Sequence, residues 1–186
     1  ENKGIDILLL AYAILKKKYH HIRLILKDQS NLYGSGPTNE LRSFITKNPK
    51  VFSQFVRSGI ILISDNLSTD MLRTLYSSVQ CYVSPYRAEG FNMTPLEAAA
   101  CGVPIIITDG GSTEEYAHKS FAIKISSTAK SINNQHYLEP DLDCLIEKLS
   151  NLIEGKSNKL SKKIALSRIK ELHSWEHVTK MLYNIL

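Results

Sequence analysis

Apolar residues recur at three- and four-residue steps through Ile5, Leu8, Leu9, Tyr12 and Leu15, which predicts a helix over 4–18 with one buried face. A short β-branched run over 22–26 reads as a strand, and the polar, glycine-bearing stretch 30–37 reads as a loop whose Pro37 is placed to open a helix. A second apolar strand is expected over 59–63, then a helix to about 77 that Ser68 caps, with Asp70 in its first turn. The third strand falls at 80–83, followed by a helix over 94–100 that Gly102 ends. The run 103–108 is continuously apolar, as a parallel strand covered on both faces should be. A short helix over 113–117 leads to a fifth strand at 121–125. Residues 126–139 lack periodicity and read as a loop, and from Asp141 onward the pattern is helical in two or three segments, with Trp175 anchoring the last to the core.

Strands alternating with helices define an α/β fold, a doubly wound, Rossmann-like parallel sheet with a helical C-terminal tail. In such sheets ligands bind beyond the carboxyl ends of the strands. A doubly wound domain ordinarily opens on a strand, so a strand is expected upstream of the first helix. A length of 186 residues fits one domain.

Composition narrows the function. No apolar run approaches the ~20 residues of a membrane span. Cys81, Cys101 and Cys144 have no metal-like spacing and suggest free thiols in a reducing compartment, the cytoplasm. The net charge of +5 is not gathered into a stripe with aromatic platforms, which argues against a nucleic-acid partner. Its clusters are 16–23 and 156–170. The first ends a helix pattern, where cations complement the dipole. A solvated helix end is one reading of it, and a weak peripheral attraction to anionic headgroups at the inner membrane face is the other.

The candidate chemistry lies between Ser84 and Pro104. Glu89 and Glu97 stand with seven residues between them, one in a strand-to-helix loop and one in the helix. Gly90 lets the backbone approach a ligand closely. The amides of Asn92, Met93 and Thr94 precede or open the helix, where unpaired N–H groups and the dipole favour an anion such as a diphosphate.

This segment resembles the retaining glycosyltransferases of the GT-B fold, in the large family called group 1. The likeness includes the paired glutamates, the Ala99-Ala100-Cys101-Gly102-Val103-Pro104 turn, Asp109-Gly110-Gly111-Ser112-Thr113-Glu114, and Lys3-Gly4 ahead of an amphipathic helix. The resemblance implies that this chain is the C-terminal, donor-binding half, and that a separate N-terminal half outside it binds the acceptor. It implies that Glu89 meets the donor sugar as a catalytic residue, that Glu97 binds the ribose hydroxyls, and that Lys3 pairs with the diphosphate. The amides of Gly90, Phe91, Asn92, Met93 and Thr94 would hold the sugar and the β-phosphate. Asn92 stands where the family often has glycine, and Lys27-Asp28-Gln29-Ser30 replaces the family's glycine pair after the second strand.

Structural alternatives stand beside these roles. Thr94-Pro95-Leu96-Glu97 also has the form of a capping box, with Glu97 reaching back to the Thr94 amide. Glu89 alone could be a solvated loop acid, and Lys3 a frayed end. Gly34-Ser35-Gly36 lacks the third glycine of a dinucleotide fingerprint. Asp141-Leu142-Asp143 reads as acids for a helix's first turn rather than a metal pair. No metal or cofactor is required by this set. The expected function is retaining transfer of a sugar from a nucleotide-sugar, with UDP as the expected nucleotide, to an acceptor hydroxyl. A sugar-nucleotide epimerase, which would need further acid and base residues, and a catalytically silent donor-binding module are the competing readings.

Overall fold

The computed structural model describes residues 2–28, 37–132, 135–156 and 162–184. The chain opens with helix α1 (Ile5–Lys18) and strand β1 (Leu24–Lys27), followed by α2 (Pro37–Lys47), α3 (Gln54–Arg57) and β2 (Ile60–Ile63). Then come α4 (Thr69–Ser78), β3 (Tyr82–Ser84), α5 (Met93–Ala100) and β4 (Ile105–Thr108), and a 3-10 turn at Gly111–Thr113. Strands β5 (Ala122–Ile125), β6 (Ser127–Ile132) and β7 (Gln135–Pro140) precede α6 (Leu142–Ile153), α7 (Lys162–His173) and α8 (Trp175–Tyr183). The stretch 29–36, which holds the expected loop and Gly34-Ser35-Gly36, lies outside the described residues.

β1 pairs with β2, and β3 with β4 and β4 with β5, all in parallel. β4 shows why both faces must be covered. Its Ile105 and Ile107 pack with Tyr76, Ala98 and Ala165 from α4, α5 and α7, while Ile106 packs with Ile7, Ala11 and Leu15 of α1 and Leu145 of α6. All of these β4 side chains are fully buried, so alternation along the strand sends consecutive isoleucines to opposite helical layers. Helix α1 buries two faces, because Leu8, Leu9 and Tyr12 also pack with Leu26 of β1 and with Leu41 and Phe52.

Several local expectations hold. Ser68 caps α4 by accepting from the Met71 amide at 3.3 Å, and Asp141 caps α6 by accepting from the Cys144 amide at 2.6 Å. The three cysteines are free thiols. Burial pushes the Cys81 thiol up to about 11.

Others are corrected. Residues 126–139 are not a loop: β6 and β7 form an antiparallel hairpin with Ala129 opposite Leu138 and Lys130 opposite Tyr137. The expected helix over 113–117 is a 3-10 turn that begins at Gly111. Trp175 does not anchor the tail, since it is 86% exposed at the start of α8. Lys16 is no part of a solvated helix end. It is buried, with Nζ donating to the His20 and Ile22 carbonyls at 2.5 and 2.9 Å and lying over the Phe55 ring. Its ammonium thereby satisfies carbonyls just past the end of α1.

Candidate functional site

The site lies at the carboxyl ends of β3 and β4. Beyond Ser84 the chain runs through Pro85–Asn92 into α5, and beyond Thr108 it turns through Asp109–Thr113. Tyr86 joins the two loops. It is buried, its hydroxyl donates to the Gly110 carbonyl and pairs with Thr113 Oγ1 at 2.8 Å, and its own carbonyl accepts from Thr108 Oγ1 at 2.7 Å.

Asn92 shows how the loop enters α5. It has φ 60° and ψ 66°, the left-handed conformation that glycine takes readily and that asparagine tolerates better than most residues. The side chain does not cap the helix, because its amide donates to Ser84 Oγ at 3.1 Å, and its carbonyl accepts from the Tyr116 hydroxyl at 2.7 Å. Asparagine in the family's glycine position therefore keeps a glycine-like backbone while its side chain is turned inward. No side chain caps α5, and its opening residues Met93 and Thr94 are exposed. The Phe91 ring packs against Tyr116 and His173 at 5.5 and 6.3 Å, so only its backbone could face a ligand.

Thr94 is the second residue of α5, not its cap, and the Glu97 carboxylate accepts from the Tyr76 hydroxyl at 3.0 Å. The capping-box geometry is thus not the one Glu97 adopts. Burial first, then neighbouring Tyr82 and Glu97, push the Tyr76 phenol far up, so it stays a donor. Tyr82 packs edge-on to Tyr76 at 5.8 Å and donates to Thr94 Oγ1 at 2.9 Å. Two hydrogen bonds and the ring contact between the tyrosines thus link Glu97 to the helix start.

Lys3 and Glu89, distant in sequence, form an ion pair. Their meeting follows from Gly4, whose φ is 67° and where a Cβ would overlap the Pro85 carbonyl oxygen. Only glycine lets the backbone press this close to the loop after β3. The Asn2 carbonyl then accepts from the Arg87 amide at 2.7 Å and, more weakly, from the Ala88 amide at 3.4 Å. Glu89 Oε1 is buried, and the Lys3 ammonium is its partner. Around Gly90, by contrast, a Cβ would meet nothing within 4 Å.

Sequence reasoning passed over Arg87, although it lies within the motif. Its guanidinium grips Asp6 through two bonds of 2.8 Å and Glu139 through bonds of 3.0 and 2.9 Å. The bonds to Asp6 and then Glu139 raise the guanidinium pKa further, and Arg87 stays charged. Burial alone would raise the Asp6 carboxyl, but Arg87 outweighs it and holds the group below the ordinary aspartate range. The hairpin joins here, since the Leu138 amide donates to the Arg87 carbonyl at 2.8 Å and Ser127 Oγ donates to the Asp109 carbonyl at 2.7 Å. No local signal in the sequence announces these partners, which come from α1 and β7.

Among the described residues, no group of three or more His, Cys, Asp and Glu side chains is arranged to hold a metal ion. Asp109 and Glu114 instead face Lys124, at 2.8 and 3.6 Å.

The chain is a parallel α/β domain that sets an uncapped helix start, a paired lysine and acid, and a second acid one helix turn further on at the carboxyl ends of its strands, the place where sheets of this class hold ligands. Residues 1–154 match the family described as Glycosyl transferases group 1, and the chain belongs to that family. A lipopolysaccharide core biosynthesis mannosyltransferase, LpsB of Rhizobium meliloti (strain 1021), is 50% identical over 40 residues, 22% of this chain and 11% of that protein. A glycosyltransferase from Rickettsia africae ESF-5 superposes with a TM-score of 0.71 at 16% identity, over 100% of this chain and 44% of that one. The pneumococcal O-GlcNAc transferase GtfA, solved in complex with UDP and GlcNAc, superposes with a TM-score of 0.64 at 18% identity, over 99% of this chain and 33% of that one. At these identities the superpositions establish the shared GT-B-like fold. The chain spans less than half the length of these solved proteins.

Proposed function

We propose that this chain is the donor-binding half of a retaining glycosyltransferase, taking a nucleotide-sugar whose nucleotide is UDP and acting with an acceptor-binding N-terminal half. The observation that carries the reading is the docking of residues 2–4 onto the loop after β3, which sets the Lys3 ammonium beside Glu89 near an uncapped helix start. A diphosphate leaving group needs a cation and fixed dipoles, and Lys3 with the amides of Gly90–Thr94 supplies them. The Glu89 carboxylate, paired through its buried Oε1 with Lys3, would turn to a sugar hydroxyl once Lys3 exchanges from it to the diphosphate. Glu97, held by Tyr76, keeps its remaining lone pairs for the ribose hydroxyls.

In the reaction, the bond from the sugar's anomeric carbon to the diphosphate oxygen breaks, and its electrons leave with the diphosphate. The acceptor hydroxyl oxygen bonds to that carbon on the same face and gives its proton to the departing diphosphate oxygen. Lys3 neutralises the departing charge, and Glu89 orients the sugar as positive charge develops on it. Free thiols fit a cytoplasmic setting, and exposed Lys17 and Arg23 could add weak attraction to an anionic membrane face.

A thermal-shift panel of UDP-, GDP- and ADP-sugars tests the reading. UDP-sugars should stabilise the chain most, EDTA should change the affinity by less than about tenfold, ~1.4 kcal/mol, and the chain alone should transfer nothing to an added acceptor. No stabilisation by any nucleotide-sugar would refute donor binding.

A further inference from the structure

We propose that Arg87 is the positioning residue of the phosphate site: it fixes the chain segment that carries Lys3 and does not touch the ligand itself. The inference rests on the reading of Lys3 as the cation for the diphosphate. Lys3 belongs to a segment that would ordinarily fray, and its side chain is 63% exposed. Beside the ion pair to Glu89 and the packing of Gly4 on Pro85, one residue restrains it at two points. The Arg87 amide bonds the Asn2 carbonyl immediately before Lys3, and its guanidinium bonds both carboxylate oxygens of Asp6, three residues after Lys3. Lys3 is therefore bracketed on either side by attachments to Arg87.

The far edge of the same guanidinium is held by Glu139 of β7, through Nε at 3.2 and 3.0 Å and Nη2 at 2.9 Å. The Arg87 carbonyl is held by the Leu138 amide. The hairpin thus serves as the fixed post from which Arg87 holds α1 and Lys3. Two carboxylates against one guanidinium leave this cluster with net negative charge, and Arg87 is only 14% exposed. Such a cluster repels a diphosphate, so its contribution to binding must pass through Lys3. A lysine at 87 keeps one charge, but as a point donor it cannot match both planar carboxylates in the forked geometry.

The test is a double-mutant cycle. UDP and GDP are titrated into the wild-type chain, Arg87→Lys, Lys3→Ala and the double variant, with hydrogen exchange followed over residues 2–8 and 84–92. Arg87→Lys should weaken binding by about fivefold or more in the wild-type background and have no effect in the Lys3→Ala background. An equal loss in both backgrounds, or no loss, overturns the proposal. Asp6→Asn, which loosens the same grip from the α1 side, should reproduce the Lys3-dependent loss should Arg87→Lys fold poorly. Hydrogen exchange decides independently of any ligand. Amides in both segments should lose protection in Arg87→Lys, and unchanged protection overturns the proposal even if the wild type binds neither nucleotide. Failure of the wild type to bind counts instead against the donor-site reading.

Discussion

At Gly4 the backbone has φ 67° and a Cβ would overlap the Pro85 carbonyl oxygen, whereas at Gly90 the same atom would enter open space. The two glycines therefore respond differently to alanine. Gly4→Ala forces strain of about 1–3 kcal/mol and lifts Lys3 off the loop, so melting temperature and UDP affinity should fall together. Gly90→Ala costs the fold nothing, so its melting temperature should stay within error while nucleotide-sugar affinity falls. Unchanged affinity in Gly90→Ala would mean that no ligand approaches that backbone. Glu89 leads to a less intuitive expectation. Its charge engages Lys3 and repels phosphate, so Glu89→Gln should tighten UDP binding by about two- to fivefold, ~0.4–1 kcal/mol. Weaker UDP binding in that variant would contradict the exchange of Lys3 from Glu89 to the diphosphate.

At the scale of elements, the join between α1, the loop after β3 and β7 is electrostatic and so depends on pH. Asp6 titrates lower in the folded chain than in the unfolded one, because Arg87 outweighs the effect of burial. Its contribution is complete above about pH 4 and is lost as pH falls through the lower folded value. Asp6→Asn should therefore melt below the wild type at pH 7, and the gap should close on acidification below about pH 4. A constant gap between pH 7 and pH 3 would remove Asp6 from the account. Elements with a strong period were legible before their structure was known: α1 from its three- and four-residue steps, β4 from an unbroken apolar run, and α4 and α6 from Ser68 and Asp141. The hairpin was not, because Thr128, Ala129, Lys130, Ser131, Gln135 and His136 are exposed, and a strand pair exposed over most of its length has little alternation to read. The candidate site was legible through Glu89, Glu97 and Lys3-Gly4. The Arg87 grip on Asp6 and Glu139 was not, since those partners lie 81 and 52 residues away.

At the scale of the whole molecule, the proposed function makes the chain a donor platform. β3 and β4 present two loops at their carboxyl ends, α5 starts there without a cap, and the segment before α1 brings a cation across. Glu97 tests this most directly, because its neutral analogue keeps its size and the Tyr76 bond. A hydrogen bond to a charged acceptor contributes roughly 1.5–3 kcal/mol, and glutamine is a poorer acceptor for ribose hydroxyls. The measurement is titration calorimetry of UDP and GDP against the wild-type chain and Glu97→Gln, each beside its melting temperature. The account predicts single-site binding to the wild type and an affinity at least about tenfold weaker in Glu97→Gln, ~1.4 kcal/mol, at unchanged melting temperature. Equal affinity in the two proteins, or a wild type that binds neither nucleotide, would contradict it.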